Sequence, residues 1–343
     1  MKYFLFIIIM LFFGILFLVS IKIDNFSLTP NVKSPFKNMF DDNGKLLNVI
    51  LIDKPFRTKE DESNYEKYKL QGLSFCGISS YSNFPGKIDN PYEDRFHELE
   101  KHDYTKMVSS WLHCFRDINI PENLKNSGLP MLLLTESDLK DTDAYKPSKS
   151  ISKEYDFIYI CLADNDKCEP GWQSYNRNWD LAKECLKTMC SEFKLTGIIV
   201  GRTNCEFTIS CKGLIKVLPF LDFHKFQQEL QKCRFLFVPN ITDASPRVIT
   251  EALTYNIPIL VNENIIGGWH HVVPGVTGEF FTDSTNIKKS ISKLMSNYNT
   301  YKPREHFIKH NGKINAGKRL ADFLIENYPN LNNKNMKYAT IQI

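Results

Sequence analysis

From Tyr155 onward the chain alternates short apolar runs with segments of helical spacing, and few architectures accept that pattern. Residues 157–162, 197–200, 214–218, 235–238 and 257–261 are apolar runs of strand length. Between them, 179–193, 225–231 and 247–255 space their apolar residues as helices do. Strands that are apolar on both sides and separated by helices imply a parallel sheet covered on both faces. Such sheets bind ligands in the crevice beyond the strand C-termini, where the strand order reverses. The loops after these runs are therefore where site residues are expected.

Upstream the same signal is weaker. Residues 47–52, 75–79 and 131–135 read as buried strands. Residues 104–115 show helical spacing around Met107, Trp111 and Phe115. Residues 140–151, polar and carrying Pro147, look like an interdomain linker. No charged residue occurs from Tyr3 to Ile21, and Lys2 and Lys22 bound the run. At helical rise this stretch reaches about 28 Å, close to a bilayer's hydrocarbon thickness. Leu18-Val19-Ser20 is a poor cleavage site, so an uncleaved single-pass anchor is expected rather than a signal peptide. The resulting division is an anchor over 1–21 and a stem over 22–46. A first domain over 47–147, a second over 148–329 and a flexible tail over 330–343 follow.

Charge and cysteine content narrow the function classes. The net charge is +4 with no basic stripe, which argues against nucleic acid as a partner. There are nine cysteines, an odd number, and no Cys-x-x-Cys pair, so a cysteine zinc site is not expected. Cys161 and Cys185 fall inside expected strands or helices, as buried free thiols of reducing compartments do. A glycan at the Asn240 sequon would obstruct the expected site. Both points lean toward the cytosolic face of the membrane.

The richest segment runs from Phe235 through Asn240 to Asp243 and on to Glu251. A buried strand ends at Pro239, and a loop carries Asp243. Ser245 is placed to cap a helix whose first residue is Pro246. Ser245, Pro246 and Arg247, which open this helix, are donor-binding candidates. Its free N–H groups and positive dipole end suit a diphosphate. Carboxylates at Asp243 and Glu251 suit sugar hydroxyls because they accept hydrogen bonds strongly.

This segment resembles the acidic-x7-acidic motif of the group-1 retaining glycosyltransferases of the GT-B fold. The resemblance extends to Asn256-Ile-Pro258, to Gly267-Gly268, to Gly275-Val-Thr-Gly278 and to Pro219-Phe-Leu. It covers about 130 residues and implies an α/β protein of two doubly wound, Rossmann-like domains, the N-terminal one reduced. It further implies that Asp243 is catalytic, contacting the donor sugar, and that Glu251 binds the ribose. Gly267 and Gly268 would approach the donor, and Pro219 would flank the base. Arg177 stands where the family places a diphosphate-binding Lys, and Lys167 or Arg202 would stand for the Arg that the family places before that Lys. Asp243 is one methylene shorter than the family's usual Glu. On the acceptor side His113, Arg116 and Asp117 form a polar cluster at an expected helix end, and Ser79, Ser80 and Glu136 follow expected strands; of these, His113, Arg116, Ser79 and Glu136 are the candidates.

The expected activity is transfer of a sugar from a nucleotide-sugar donor to a glycan, lipid or protein acceptor at the membrane, with retention and without a cofactor. One alternative is a catalytically decayed, membrane-tethered scaffold. Another is a metal-dependent transferase using Asp164-Asn-Asp166, which alone would call for Mg or Mn.

Overall fold

A computed structural model describes residues 32–86, 91–92, 102–117, 121–207 and 209–342. The expected anchor over 1–21 lies outside them. Among the described residues no helix is long and apolar enough to cross a membrane.

Two six-stranded sheets organise the chain. The second is built from β6 (Tyr155–Ile160), β7 (Gly197–Val200), β8 (Ile215–Leu218), β9 (Cys233–Val238), β10 (Ile259–Asn262) and β11 (Gly278–Phe281). Its order is β11-β10-β9-β6-β7-β8, and every pairing is parallel. The chain moves outward from β6 to β8, then returns to start again at β9. The order therefore reverses between β6 and β9, and the loops after those two strands share one crevice.

In the first sheet β2 (Leu46–Ile52), β3 (Ser74–Ile78), β4 (Ser110–His113) and β5 (Met131–Leu133) run parallel. Two antiparallel strands extend it, β1 (Phe36–Asp41) and, beyond β1, β12 (Ala339–Ile341). Along β2, Leu47, Val49 and Leu51 enter one core while Ile50 and Ile52 enter the other, as strand alternation demands. Gly77 is needed where β3 meets β4, since a Cβ there would lie 2.2 Å from the Trp111 ring.

The helices are α1 (Lys59–Leu70), α2 (Glu122–Lys125), α3 (Trp172–Asn176), α4 (Trp179–Ser191), α5 (Phe223–Gln231), α6 (Arg247–Thr254), α7 (Ile287–Ser296), α8 (Pro303–His310) and α9 (Gly312–Asn327). Ala182, Cys185, Leu186 and Met189 of α4 pack on one face of the second sheet, and Ile249, Ala252 and Leu253 of α6 on the other. Each helix thus presents residues at three- and four-residue spacing to the sheet.

Several expectations are corrected. Residues 36–41, assigned to a stem, form β1, because Phe36 and Met39 are apolar enough to be buried in the first domain. Helix α9 belongs to the first domain, where Ala316, Leu320, Ala321 and Leu324 cover Val49 and Leu51. The tail over 330–343 is not flexible throughout; Ala339 and Ile341 are buried in β12. The segment 104–115 is not a helix: a 3-10 turn at Tyr104–Lys106 leads into β4. Four cysteines form the disulfides Cys168–Cys205 and Cys190–Cys211, which leaves the reducing-compartment argument to the five buried thiols.

Candidate active site

The crevice between β6 and β9 brings together Arg177, Arg247 and Glu251, three of the residues expected to bind the donor. A cavity of about 310 Å³ opens there. Its floor is apolar, from Ile160 at the end of β6, Leu162 just beyond it and Val200 at the end of β7. Phe220 and Leu221, which follow Pro219 beyond β8, form one wall. Arg177, Arg247 and Glu251 supply the polar groups. An apolar slot with a few convergent polar groups is what a nucleotide-sized ligand requires.

Arg177 caps the C-terminus of α3, and its guanidinium donates to Asp243 in the loop after β9. Asp243 also accepts from Asn240 at 3.1 Å. Arg177 and Asp243 are far apart in sequence, and the switch point brings them together because each follows one of the two central strands. The pair links a cation suited to phosphate with the carboxylate expected at the sugar.

Glu251 lies one turn into α6 and is buried. Burial pushes its carboxyl up, against the pull of Lys140, whose ammonium is 3.3 Å away. Lys140 also lies over the rings of Tyr145 and Phe223, at 4.3 and 5.0 Å from their centroids. Lys140 was not among the expected site residues; nothing around it in sequence marks it, since its partner lies on another domain. It reaches Glu251 along the wall of a second cavity, of about 390 Å³. Arg247, Glu251 and Phe223 line both cavities, so the two are neighbouring rooms on either side of α6's polar edge.

Helix α6 begins differently from the expectation. Pro246 is its N-cap and Arg247 its first residue. Ser245 does not cap it; its hydroxyl donates to the Ser137 hydroxyl at 3.1 Å and joins the two domains. The N–H groups of Arg247 and Val248 nonetheless lie in the first turn, where no intrahelical acceptor exists, and both residues border the smaller cavity.

Gly267 and Gly268 pass directly beneath this helix start. A Cβ at Gly267 would lie 1.8 Å from the Ala244 carbonyl oxygen, and one at Gly268 2.5 Å from Pro246 Cγ. The Gly267 N–H donates to the Asp243 carbonyl at 3.0 Å. Glycine is needed here because two backbones touch, which positions the Asp243 loop.

The acceptor-side candidates divide. His113 ends β4, not a helix, and is half-buried; burial pushes its imidazole down to about 4. Arg116 crosses to the second domain, 5.1 Å over the Trp269 ring and 3.8 Å from Glu263. Ser79 is fully buried and accepts from Trp111 Nε1 at 2.9 Å. Glu136 borders the larger cavity but is ion-paired with Lys37, which also approaches Asp53 at 3.3 Å.

Two further expectations change. Asp164 is taken up by backbone N–H groups of Gln173 and Ser174, which it caps at the start of α3. Its carboxylate is therefore committed, against the Asp-x-Asp metal alternative. Arg202 is wholly buried, hydrogen-bonded to Ser174 at 2.8 Å and lying over Trp179, so it supports α3 rather than a ligand. Lys167 is exposed.

A cluster missed in the sequence lies at the domain junction. Asp138 is buried in the 3-10 turn Glu136–Leu139, facing His270 and His271 of the 3-10 turn Trp269–His271. Burial works against the Asp138 charge, yet the histidines beside it hold its carboxyl well below the usual range. Burial pushes His271 down to about 3.

No family model and no curated protein matches this sequence. Solved structures do match in fold. The lipopolysaccharide outer core galactosyltransferase WaaB in its apo form aligns with a TM-score of 0.54 and 14% identity, over 81% of this chain and 75% of its own. HepE of Anabaena in complex with UDP-glucose aligns with a TM-score of 0.55 and 13% identity, over 78% and 76%. Sucrose-phosphate synthase of Thermosynechococcus elongatus aligns with a TM-score of 0.53 and 8% identity, over 77% and 71%.

Proposed function

The chain has the two-domain GT-B fold of glycosyltransferases, and from that premise we propose that it transfers a sugar from a nucleotide-sugar donor. The observation that carries the proposal is the convergence of Arg177, Asp243, Arg247 and Glu251 on one crevice at the strand-order reversal. In this reading the base lies against Phe220 and Leu221, and the ribose hydroxyls donate to Glu251. The diphosphate replaces Asp243 as the partner of Arg177 and meets Arg247 and the first N–H groups of α6. Freed from Arg177, Asp243 turns to the sugar hydroxyls. Departure of the diphosphate is then eased by fixed positive groups, and orientation of the sugar by the carboxylate. Retention of configuration belongs to the same proposal and rests on the acidic-x7-acidic resemblance.

HepE is found in complex with UDP-glucose, which makes uridine diphosphate sugars the first donors to test. Donor binding followed by thermal shift, then donor consumption with and without candidate acceptors, examines the proposal directly. A nucleotide sugar at a hundred times its dissociation constant should stabilise the protein by about 2.7 kcal/mol. Binding without any transfer or hydrolysis would favour the decayed, scaffold-like reading; no binding of any nucleotide sugar would refute both.

We further propose that residues 1–21 anchor the enzyme in a membrane, which brings a lipid-linked or membrane-bound acceptor within reach. The full chain should then resist alkaline carbonate extraction, and a chain lacking those residues should not.

A further inference from the structure

The cluster of Asp138, His270 and His271 takes no part in the donor site proposed above, and its arrangement is that of a chelate. His270 Nε2 lies 2.8 Å from Asp138 Oδ1, and His271 Nε2 lies 3.3 Å from the same oxygen. One ligand atom from each of the three residues falls within 4.8 Å of the others. Ligands sharing one tetrahedral zinc ion stand about 3.3 Å apart, given zinc bonds of about 2.0–2.1 Å.

Two features separate this cluster from a simple ion pair. The first is His271. It is 2% exposed, and neither ring nitrogen has a hydrogen-bond partner. A buried imidazole with both nitrogens unsatisfied is unfavourable unless something accepts its lone pair. The second is how the carboxylate is held. Asp138 Oδ2 accepts from the Thr135 N–H at 2.6 Å and from the Thr135 hydroxyl at 3.0 Å. Those bonds fix the carboxylate plane and leave Oδ1 facing the two histidines. The imidazole centroids are 4.0 Å apart. A divalent ion satisfies all three groups at once, whereas one proton satisfies only one ring.

We propose that Asp138 Oδ1, His270 Nε2 and His271 Nε2 form a divalent transition-metal site at the junction of the two domains. Two imidazoles and one carboxylate are borderline donors that suit zinc. Water completes the coordination on the His270 side, where the ring reaches the surface. Asp138 comes from the first domain and both histidines from the second, so the ion acts as a clasp between them.

The test uses the full chain, stripped with chelator and titrated with cobalt and, separately, with zinc. Cobalt should bind stoichiometrically and give a visible d–d band without the thiolate charge-transfer absorption that cysteine ligation produces. His270→Ala, at a partly exposed ring, and Asp138→Asn, of unchanged volume, should each weaken cobalt binding by more than about 100-fold, beyond the loss typical of outer-shell changes. Zinc should raise the melting temperature of the parent and not that of His270→Ala. Absence of the band, a band retained in folded His270→Ala, or thiolate charge-transfer absorption would each overturn the proposal. Nucleotide-sugar binding measured on the same samples keeps the donor reading separate, since that reading calls for no metal.

Discussion

Substituting Gly267 by alanine should disable the site through the backbone that Gly267 packs against. The new Cβ would stand 1.8 Å from the Ala244 carbonyl oxygen. Ordinary contact begins near 3.4 Å, so the two backbones must part by about 1.6 Å. Neither side can yield by a rotamer change, because the obstructing atom is main chain. The Ala244 segment lies between Asp243 and the start of α6, so the displacement is passed to both. Overpacking of this kind costs about 1–3 kcal/mol of stability. A misplacement of about 1 Å at a reacting group costs on the order of 100-fold in rate. Gly267→Ala should therefore lower the melting temperature and cut turnover about 100-fold, with a smaller loss of nucleotide affinity. Gly44→Ala is the control: its φ is +75° and nothing lies within 4 Å, so it should lose about 1–2 kcal/mol from backbone strain alone and keep full activity. Scanning calorimetry and steady-state kinetics on the two variants decide the matter. If Gly267→Ala retains parental turnover while folded, the glycine contact does not position Asp243 and the reasoning fails.

Three other outcomes are expected. Glu251→Ala should weaken donor and free nucleoside diphosphate alike by about 1.5–3 kcal/mol, the range for hydrogen bonds to a charged group; equal affinities by calorimetry would remove the ribose assignment. Asp243→Asn should keep diphosphate binding yet lose most turnover, while Asp243→Glu should be tolerated; parental turnover in the Asn variant would reduce Asp243 to a loop residue. His113 drops from 6.5 to about 4 on burial, so between those values the unfolded chain holds the extra proton and stability falls as pH falls. The His113 share is about 1.4 kcal/mol per pH unit, and denaturant titrations of His113→Leu should show a slope shallower by that amount.

The second sheet was legible because its strands are apolar on both sides and punctuated by helices, a signal local to each segment. The motif after β9 was legible for the same reason, and Arg177 was reached only through the family resemblance, which places a diphosphate-binding Lys there. Pairing was harder to read. Arg177 meets Asp243, and Lys140 meets Glu251, only after the sheet has formed. Met107, Trp111 and Phe115 illustrate an ambiguity of period. A spacing of four residues fits one helix face, yet it is also an even number, so it fits one strand face; the structure takes the strand at Trp111. The clustering of Asp138 with His270 and His271 was hidden because two adjacent histidines on a regular helix would diverge. On the 3-10 turn Trp269–His271 their rings come together instead.

The return of α9 and β12 to the first domain has a consequence in time. During synthesis β2 to β5 emerge early, but the residues that cover one face of their sheet, Ala316, Leu320, Ala321 and Leu324, leave the ribosome only after the whole of the second sheet. The antiparallel edge at β1 also waits for Ala339 to Ile341. The second domain's sheet, β6 to β11, is contiguous and complete well before that. The half that emerges first must therefore finish second, its apolar face unclosed while the donor-binding half is already assembled. Nascent chains stalled before Gly312 should thus display a folded second domain beside an exposed first sheet, a state that chaperones would recognise and that the finished protein never shows.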